Sequence, residues 1–97
     1  MVGAGIERSR LRADARAQVD LGVCYKHGAG VAQDQAEAVR WYRLATEQGY
    51  AYAQFILGAC YYNGEGVAQN KVEAVRWYRL AAQQGLKEAQ EALERLS

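Results

Sequence analysis

The sequence predicts an all-α fold, an α/α superhelix built as a solenoid of antiparallel helix pairs. When the 97-residue chain is shifted by 36 positions, residues 15–50 align with residues 51–86, and 23 of the 36 pairs are identical. Apolar and small residues recur every three or four positions, which is the period of an amphipathic helix. Glycines and helix-capping residues divide each unit into helix, loop and helix. One helix pair cannot cover both of its apolar faces, whereas stacked pairs can, so the repeat predicts a solenoid.

The first helix of each unit, called helix A below, is predicted over residues 15–27 and the matching positions of the second unit. Four apolar or small residues share one of its faces: Ala17, Leu21, Cys24 and Tyr25. Gly28 and Gly30 follow, and glycine readily takes the left-handed conformation that ends a helix. Gly22 and Gly58 lie inside the two A helices. A glycine there costs about 1 kcal/mol relative to alanine, so we expect a neighbouring helix or a bulky Trp or Tyr to approach closely.

The second helix of each unit, helix B, begins with a capping signal. Asp34 is placed as the N-cap, with Glu37 three residues later in the spacing of a capping box. Asn70 and Glu73 repeat this arrangement in the second unit. Helix B is predicted to end at a glycine in both units, Gly49 and Gly85.

The two ends of the chain depart from the full repeat. Residues 87–97 start a third copy that stops after one helix, so we expect a C-terminal capping helix. Residues 1–14 are predicted to be an N-terminal extension. Met1–Gly5 is expected to be disordered, and Ile6–Asp14 is expected to be able to lengthen the first helix.

The units resemble the Sel1-like repeat, a 36-residue relative of the tetratricopeptide repeat. The resemblance rests on the pattern A-x-A-Q-x-x-L-G-x-x-Y-x-x-G-x-G-V, followed by D/N-x-x-x-A-x-x-W-Y-x-x-A and then Q-G. The family often has proline after the loop valine, whereas this chain has Ala32 and Ala68, which predicts a less rigid loop. A cysteine-rich branch of the family pairs cysteines within each repeat, and this sequence, with one cysteine per repeat, does not match it. The pattern is met in the first unit by Ala15, Ala17, Gln18, Leu21, Gly22, Tyr25, Gly28, Gly30, Val31, Asp34, Ala38, Trp41, Tyr42, Ala45, Gln48 and Gly49.

The resemblance implies a right-handed superhelix that binds proteins or peptides on a concave face lined by the A helices. Residues that hold the repeats together should recur, whereas residues that contact a partner need not. Four differing pairs on helix A follow one helical stripe. These residues form the predicted protein-binding surface: Arg16, Val19, Val23 and Lys26 in the first unit, and Tyr52, Phe55, Ala59 and Tyr62 in the second.

Tyrosine and arginine are favoured anchors of protein interfaces, so we expect a shallow groove with an aromatic centre that binds an apolar or aromatic peptide. The alternative is that Phe55 and Tyr62 pack against adjacent helices, because apolar stripes on helices usually face a core. The function expected is that of a non-enzymatic adaptor or scaffold with a protein or peptide partner.

Other residue types have competing interpretations. Trp41 and Trp77 could stack on a ligand, but they recur identically, which favours packing between repeats. Cys24 and Cys60 occupy matching positions on A helices about 8–10 Å apart, too far for a disulfide, and are expected to be small buried thiols. Arginines at three-residue spacing on the B helices could bind phosphates but are expected to lie on a solvated face: Arg40, Arg43, Arg76 and Arg79.

Composition and motifs argue against an enzyme, a metal or a cofactor. His27 is the only histidine, so a two-histidine metal site cannot be assembled, and there is no Ser-His-Asp arrangement with a spare histidine. A Cys24–His27 dyad would lack an orienting acid, and Asn63 replaces the histidine in the second unit. The net charge of +1 provides no long-range attraction to nucleic acid or an anionic membrane, so neither is expected as a partner.

Two alternatives to the adaptor remain at this stage. A homodimer could cover the uncapped N-terminal face, which would expose Val19, Val23 or Leu11, or the chain could be a regulatory fragment of a larger protein. The cytoplasm is the expected compartment, because the two cysteines form no disulfide framework and the N-terminus shows no apolar signal-peptide region. A periplasmic or secreted location is the alternative if a signal peptide has been removed.

Overall fold

The structure, a computed structural model, describes residues 14–96 and has five helices in that range. The first repeat contains α1 (Ala15–His27) and α2 (Gln35–Glu47), the second contains α3 (Ala51–Asn63) and α4 (Lys71–Gln83), and α5 (Lys87–Leu96) follows. Helix α2 packs against α1 and α3, and α4 packs against α3 and α5. The odd-numbered helices therefore form one layer and the even-numbered helices the other, which confirms the all-α solenoid. The expectations for residues 1–13 lie outside the described residues.

An aspartate cap precedes α1, whose first residue is Ala15. Asp14 has an extended backbone, and its Oδ1 accepts hydrogen bonds from the backbone N–H groups of Arg16 at 3.0 Å and Ala17 at 3.3 Å. These N–H groups have no partner within the helix, so the carboxylate caps it. Asp14 is therefore the N-cap, and α1 begins at Ala15, where helix A was predicted to begin.

The predicted caps of the B helices are present. Asp34 Oδ1 accepts from the Glu37 N–H at 3.1 Å, and Asn70 Oδ1 accepts from the Glu73 N–H at 3.0 Å. The return half of the capping box is absent in the first repeat, because the Asp34 N–H donates to the Tyr25 carbonyl at 2.8 Å. The Glu37 carboxylate is bound instead to Arg40, at 3.2 Å.

Side-chain hydrogen bonds close the loop between helices A and B. Gln33 Nε2 donates to the Lys26 carbonyl at 2.8 Å, and Gln69 Nε2 donates to the Tyr62 carbonyl at 2.8 Å. Both glutamines follow the alanine that stands where proline is often found in Sel1-like repeats. This hydrogen bond holds the loop against the end of helix A. The same bond forms in both loops, although neither contains a proline.

The core is shared between neighbouring repeats rather than enclosed within each one. The larger cluster joins residues of both repeats: Val19, Ala38, Val39, Tyr42, Ala45, Ala53, Leu57 and Cys60. Trp77 packs against this cluster from the second repeat, as its recurrence predicted. A smaller cluster of Ala74, Tyr78 and Ala92 joins the second repeat to α5. Neither repeat could bury these side chains alone, which is why the helix pairs stack.

A tyrosine ring on each B helix fills the space left by the glycine inside the A helix. A Cβ placed on Gly22 would lie 2.5 Å from Tyr42 Cε1, and one placed on Gly58 would lie 2.9 Å from Tyr78 Cδ1. Carbon atoms normally come no closer than about 3.5 Å in non-bonded contact. The close approach predicted from the two glycines is therefore confirmed, with tyrosine as the neighbour.

The two cysteines are free and differ in burial. Cys60 is buried, and that burial raises the pKa of its thiol to about 11. Cys24 is only half-buried, so the prediction of two buried thiols is wrong at that position. The difference arises because Cys60 lies between the two repeats, whereas Cys24 is on the first helix of the described chain.

The substitution Gly58→Ala tests the tyrosine–glycine contact. Alanine inside a helix normally adds about 1 kcal/mol to stability, but here its methyl group would overlap the Tyr78 ring, and overpacking costs about 1–3 kcal/mol. We expect the free energy of unfolding in urea to fall. In a Tyr78→Leu background the same substitution should cost less, because the ring is gone. A more stable Gly58→Ala protein would contradict the contact.

The substitution Tyr42→Phe tests the buried hydroxyl group of Tyr42 on α2. This hydroxyl has no hydrogen-bond partner among residues 14–96, and burial, followed by the nearby Cys60 and Glu65, raises the Tyr42 pKa to about 12. A raised pKa stabilises the fold below pH 10, and this contribution is lost as the pH rises from 10 to 12. We expect the variant to match or exceed wild type in stability at pH 7, and to lose less of it by pH 11 in urea titrations. Parallel losses in the two proteins would contradict the assignment.

Candidate protein-binding surface

The solvent-facing sides of α1, α3 and α5 form one continuous layer, called the helix-A surface here. Arg16 is exposed on α1, and Tyr52 on α3 has 41% of its surface exposed. Val23 is 37% exposed, while Phe55, Ala59 and Tyr62 are half-buried. Most of the predicted stripe therefore reaches solvent on this layer.

The predicted stripe has to be corrected at Val19. Only 3% of its surface is exposed, and it belongs to the core cluster that joins the two repeats. The reason is that the side of α1 that carries Val19 is covered by the second repeat. Val19 supports the surface from beneath and offers no area of its own to a partner.

Lys26 lies at the edge of the helix-A surface and already has an acidic neighbour. Its Nζ is 4.0 Å from a carboxylate oxygen of Glu65, which follows α3 in the second repeat. Both side chains are more than one-third exposed, so this ion pair adds little to stability. It does reduce the positive charge that the lysine presents at this end of α1.

Aromatic side chains run across α3 and into α4. The ring centre of Tyr52 is 6.4 Å from that of Tyr50 and 6.2 Å from that of Phe55. The ring centre of Phe55 is in turn 5.7 Å from that of Tyr78. On the other side, the Lys71 Nζ lies 5.4 Å from the Tyr62 ring centre. Such contacts hold the rings in fixed positions, so the surface is pre-organised around α3.

A cavity of about 410 Å³ opens between α3 and α5, and we call it the α3–α5 cavity. Tyr78 of α4 forms its floor together with half-buried residues of α3. The structure brings three predicted residues together here and leaves Arg16, Val23, Lys26 and Tyr52 outside it. The complete lining is Phe55, Ala59, Tyr62, Asn63, Tyr78, Ala92, Arg95 and Leu96.

Arg95 is the charged side chain in this lining. It forms no ion pair or hydrogen bond within residues 14–96, although its charge acts on the Tyr78 hydroxyl. Burial raises the pKa of Tyr78, and the positive charge of Arg95 lowers it in part. The hydroxyl therefore stays protonated at neutral pH, and the cavity presents donor groups rather than negative charge.

Sequence reasoning missed five of the lining residues: Asn63, Tyr78, Ala92, Arg95 and Leu96. Asn63 had a usable signal, because His27 stands at the matching position of the first unit and the pair therefore differs. Arg95 matches Ala59 when the 36-residue shift is continued into α5, so it too lies on the stripe. Tyr78 had no such signal, because the matching residue of the first unit, Tyr42, is also a tyrosine and packs in the core.

Glutamine side chains hold α3 in place beneath the surface. Gln84 Nε2, at the end of α4, donates to Gln54 Oε1 at 2.9 Å and to the Gly49 carbonyl at 2.9 Å. The first repeat contains the matching bond from Gln48 Nε2 to Gln18 Oε1, at 3.0 Å. Because Gln54 is buried, its bond satisfies a polar group that water cannot reach. It ties the start of α3 to the far end of α4.

A second depression, of about 690 Å³, lies on the outer side of α4 and is called the α4 outer face. Val72 is 83% exposed there, and Val75 is half-buried beside it. Val39 occupies the position of Val75 in the first repeat and is buried by the second repeat. Within residues 14–96, the α4 outer face is the uncovered counterpart of the surface by which α2 packs against the second repeat.

Residues 14–96 contain no helix with the length and apolar character needed to cross a membrane. Within the same residues, no three His, Cys, Asp or Glu side chains are grouped so that they could hold a metal ion.

Comparison with known proteins identifies the repeated unit. The model of the Sel1 repeat matches residues 15–50 and 51–86, the same boundaries that the 36-residue shift predicts. A search of curated proteins gives no significant match. Proteins of this family generally act as protein–protein interaction modules and are typically not enzymes.

Solved structures with the same architecture come from three bacteria. A Sel1 repeat protein from Oxalobacter formigenes is 43% identical, with a TM-score of 0.83 over 86% of this chain and 34% of that one. The protective antigen c5321 of uropathogenic Escherichia coli, which displays an SLR fold, is 42% identical, with a TM-score of 0.82 over 89% of this chain and 18% of that one. Cysteine-rich protein B of Helicobacter pylori is 28% identical, with a TM-score of 0.78 over 82% and 60%. The chain therefore spans about one-third and one-fifth of the first two.

The substitution Gln84→Ala tests how α3 is positioned. It removes the donor to the buried Gln54 oxygen and to the Gly49 carbonyl, and leaving a buried acceptor unpaired costs about 1–3 kcal/mol. Gln83→Ala, at the exposed neighbouring position, should change the free energy of unfolding by less than about 0.5 kcal/mol. Urea unfolding of both variants measures the difference. Equal losses would show that the glutamine bonds do not hold α3.

Proposed function

This chain belongs to the Sel1 repeat family, and we propose that it is a protein-binding module that holds a peptide segment of its partner on the helix-A surface. The observation that supports this most is the α3–α5 cavity, where half-buried aromatic rings meet polar groups. Binding sites of this kind combine apolar walls with a few donors that fix orientation. The module acts by holding its partner, without chemistry of its own, as members of the family typically do.

The residues proposed to contact the partner contribute to binding in different ways. Tyr52 and Phe55 offer aromatic area, and Ala59 leaves the space between them and Tyr62 open. Arg16 and Val23 extend the surface along α1. Aromatic side chains provide much contact area for little loss of conformational entropy, so they are efficient anchors.

The homodimer alternative has less support than the peptide-binding module. Of the residues expected to be uncovered at the N-terminal face, Val19 is buried and Leu11 lies outside the described residues. Val23 is exposed, but it lies on the helix-A surface itself. A single exposed valine does not supply the area that a stable dimer buries.

The substitution Ala59→Glu tests the proposed site. Peptides selected from a random dodecapeptide library on the full chain are titrated into wild type, Ala59→Glu and Val72→Glu. The new carboxylate fills the cavity and would have to be desolvated on binding, so affinity should fall at least about tenfold. Val72→Glu places the same charge on the α4 outer face and should change affinity by less than about twofold.

Circular dichroism first establishes that each variant folds, and Tyr52→Ser serves as a second site variant because its side chain is largely exposed. Loss of binding in Val72→Glu, with Ala59→Glu and Tyr52→Ser unaffected, would place the partner on the α4 outer face and overturn the proposal.

A further inference from the structure

Charged side chains of both signs follow one side of α5, and one of them, Arg95, lines the α3–α5 cavity. Glu88, Glu91 and Arg95 are spaced by three and four residues, so they lie along one side of α5. All three are exposed. At 1.5 Å per residue, about 10 Å separates the glutamate end of this line from the arginine end. Along this line two carboxylates near the start of α5 are followed by the guanidinium of Arg95. The exposed Glu94 lies next to Arg95 in the chain but borders a different depression, with Val75 and Arg79.

Arg95 is the basic member of this line, and within the described residues no carboxylate lies within ion-pair distance of it. It lines the cavity with the apolar side chains of Ala92 and Leu96 on the same helix. Within residues 14–96 it takes part in no ion pair, unlike Lys26, Arg40 and Arg76, each of which has a glutamate within 4.0 Å. An unpaired guanidinium beside an apolar wall favours a ligand that brings both an anion and an apolar group.

The neighbours of Arg95 are suited to the same ligand. Asn63 supplies an amide from α3, and the Tyr78 hydroxyl stays protonated beside the arginine. Phe55 and Tyr62 form an apolar wall within reach of an adjacent side chain. A carboxylate at Arg95 would therefore sit next to an aromatic or aliphatic group on the wall.

We propose that the α3–α5 cavity selects a partner peptide in which an aromatic or large aliphatic side chain is followed, two residues away, by an aspartate or glutamate that pairs with Arg95. This specificity rests on the proposed function of the helix-A surface. In an extended peptide, residues two apart are about 6.6 Å from each other and point to the same side. The apolar group then lies on Phe55 while the carboxylate meets the guanidinium. Glu88 and Glu91 repel a second acidic residue on the other flank.

The experiment is a titration of the ¹⁵N-labelled full chain with acetylated and amidated heptapeptides, followed by NMR shifts of the Asn63 side chain and the Arg95 guanidinium. The first probe is a serine peptide with phenylalanine at position four and glutamate at position six. The second replaces the glutamate with glutamine, and the third carries glutamate at both positions two and six. The proteins are wild type, Arg95→Gln and Arg76→Gln, the last being an exposed arginine of α4 that lies outside the cavity.

We expect wild type to bind the first probe about five- to tenfold more tightly than the second, as for a partly exposed charge-assisted hydrogen bond. Arg95→Gln should remove this preference, and Arg76→Gln should retain it. The third probe should bind less tightly than the first, because its extra carboxylate lies near Glu88 and Glu91.

Equal affinity for the first two probes, with shifts at the cavity, would overturn the proposed specificity while leaving the peptide-binding surface in place. An equal loss in Arg95→Gln and Arg76→Gln would also overturn it, because the preference would then reflect net charge alone. Shifts confined to the α4 outer face would overturn both the specificity and the proposed function.

Discussion

The packing of a tyrosine ring onto a glycine inside the facing helix is the contact on which the repeat depends. Tyr42 covers Gly22 and Tyr78 covers Gly58, at distances that leave no room for a side chain on the glycine. The Tyr42 ring also belongs to the core between the repeats, because it shares a cluster with Ala53 and Leu57 of the following repeat. One contact thus sets both the spacing within a pair and the stacking between pairs.

Because the buried faces of the helices hold the repeats together, the solvent-facing side chains of the A helices can differ between the two repeats. The pair Val19 and Phe55 shows the consequence: the smaller side chain is covered by the second repeat, whereas the larger one borders a cavity. Within the described residues, α5 matches residues 51–60 of the preceding A helix. The last turn of α3, with Tyr62 and Asn63, therefore has no counterpart beside it among the described residues.

The same geometry determines the charges on the helix-A surface. Lys26 lies beside Glu65 of the next repeat, so its charge is partly offset. Arg95 stands on α5, where no described residue follows to supply a carboxylate in the matching place.

Periodicity and local chemistry were sufficient to predict the helix order, the caps at Asp34 and Asn70 and the close contacts at Gly22 and Gly58. These features depend on neighbours in sequence or on the recurrence of one unit, and both are visible in the sequence alone. The burial of Val19, the partial exposure of Cys24 and the meeting of Phe55, Tyr78 and Arg95 at one cavity were decided only by tertiary packing. Residues at matching positions look equivalent in sequence, but their environment depends on whether another helix lies beside them.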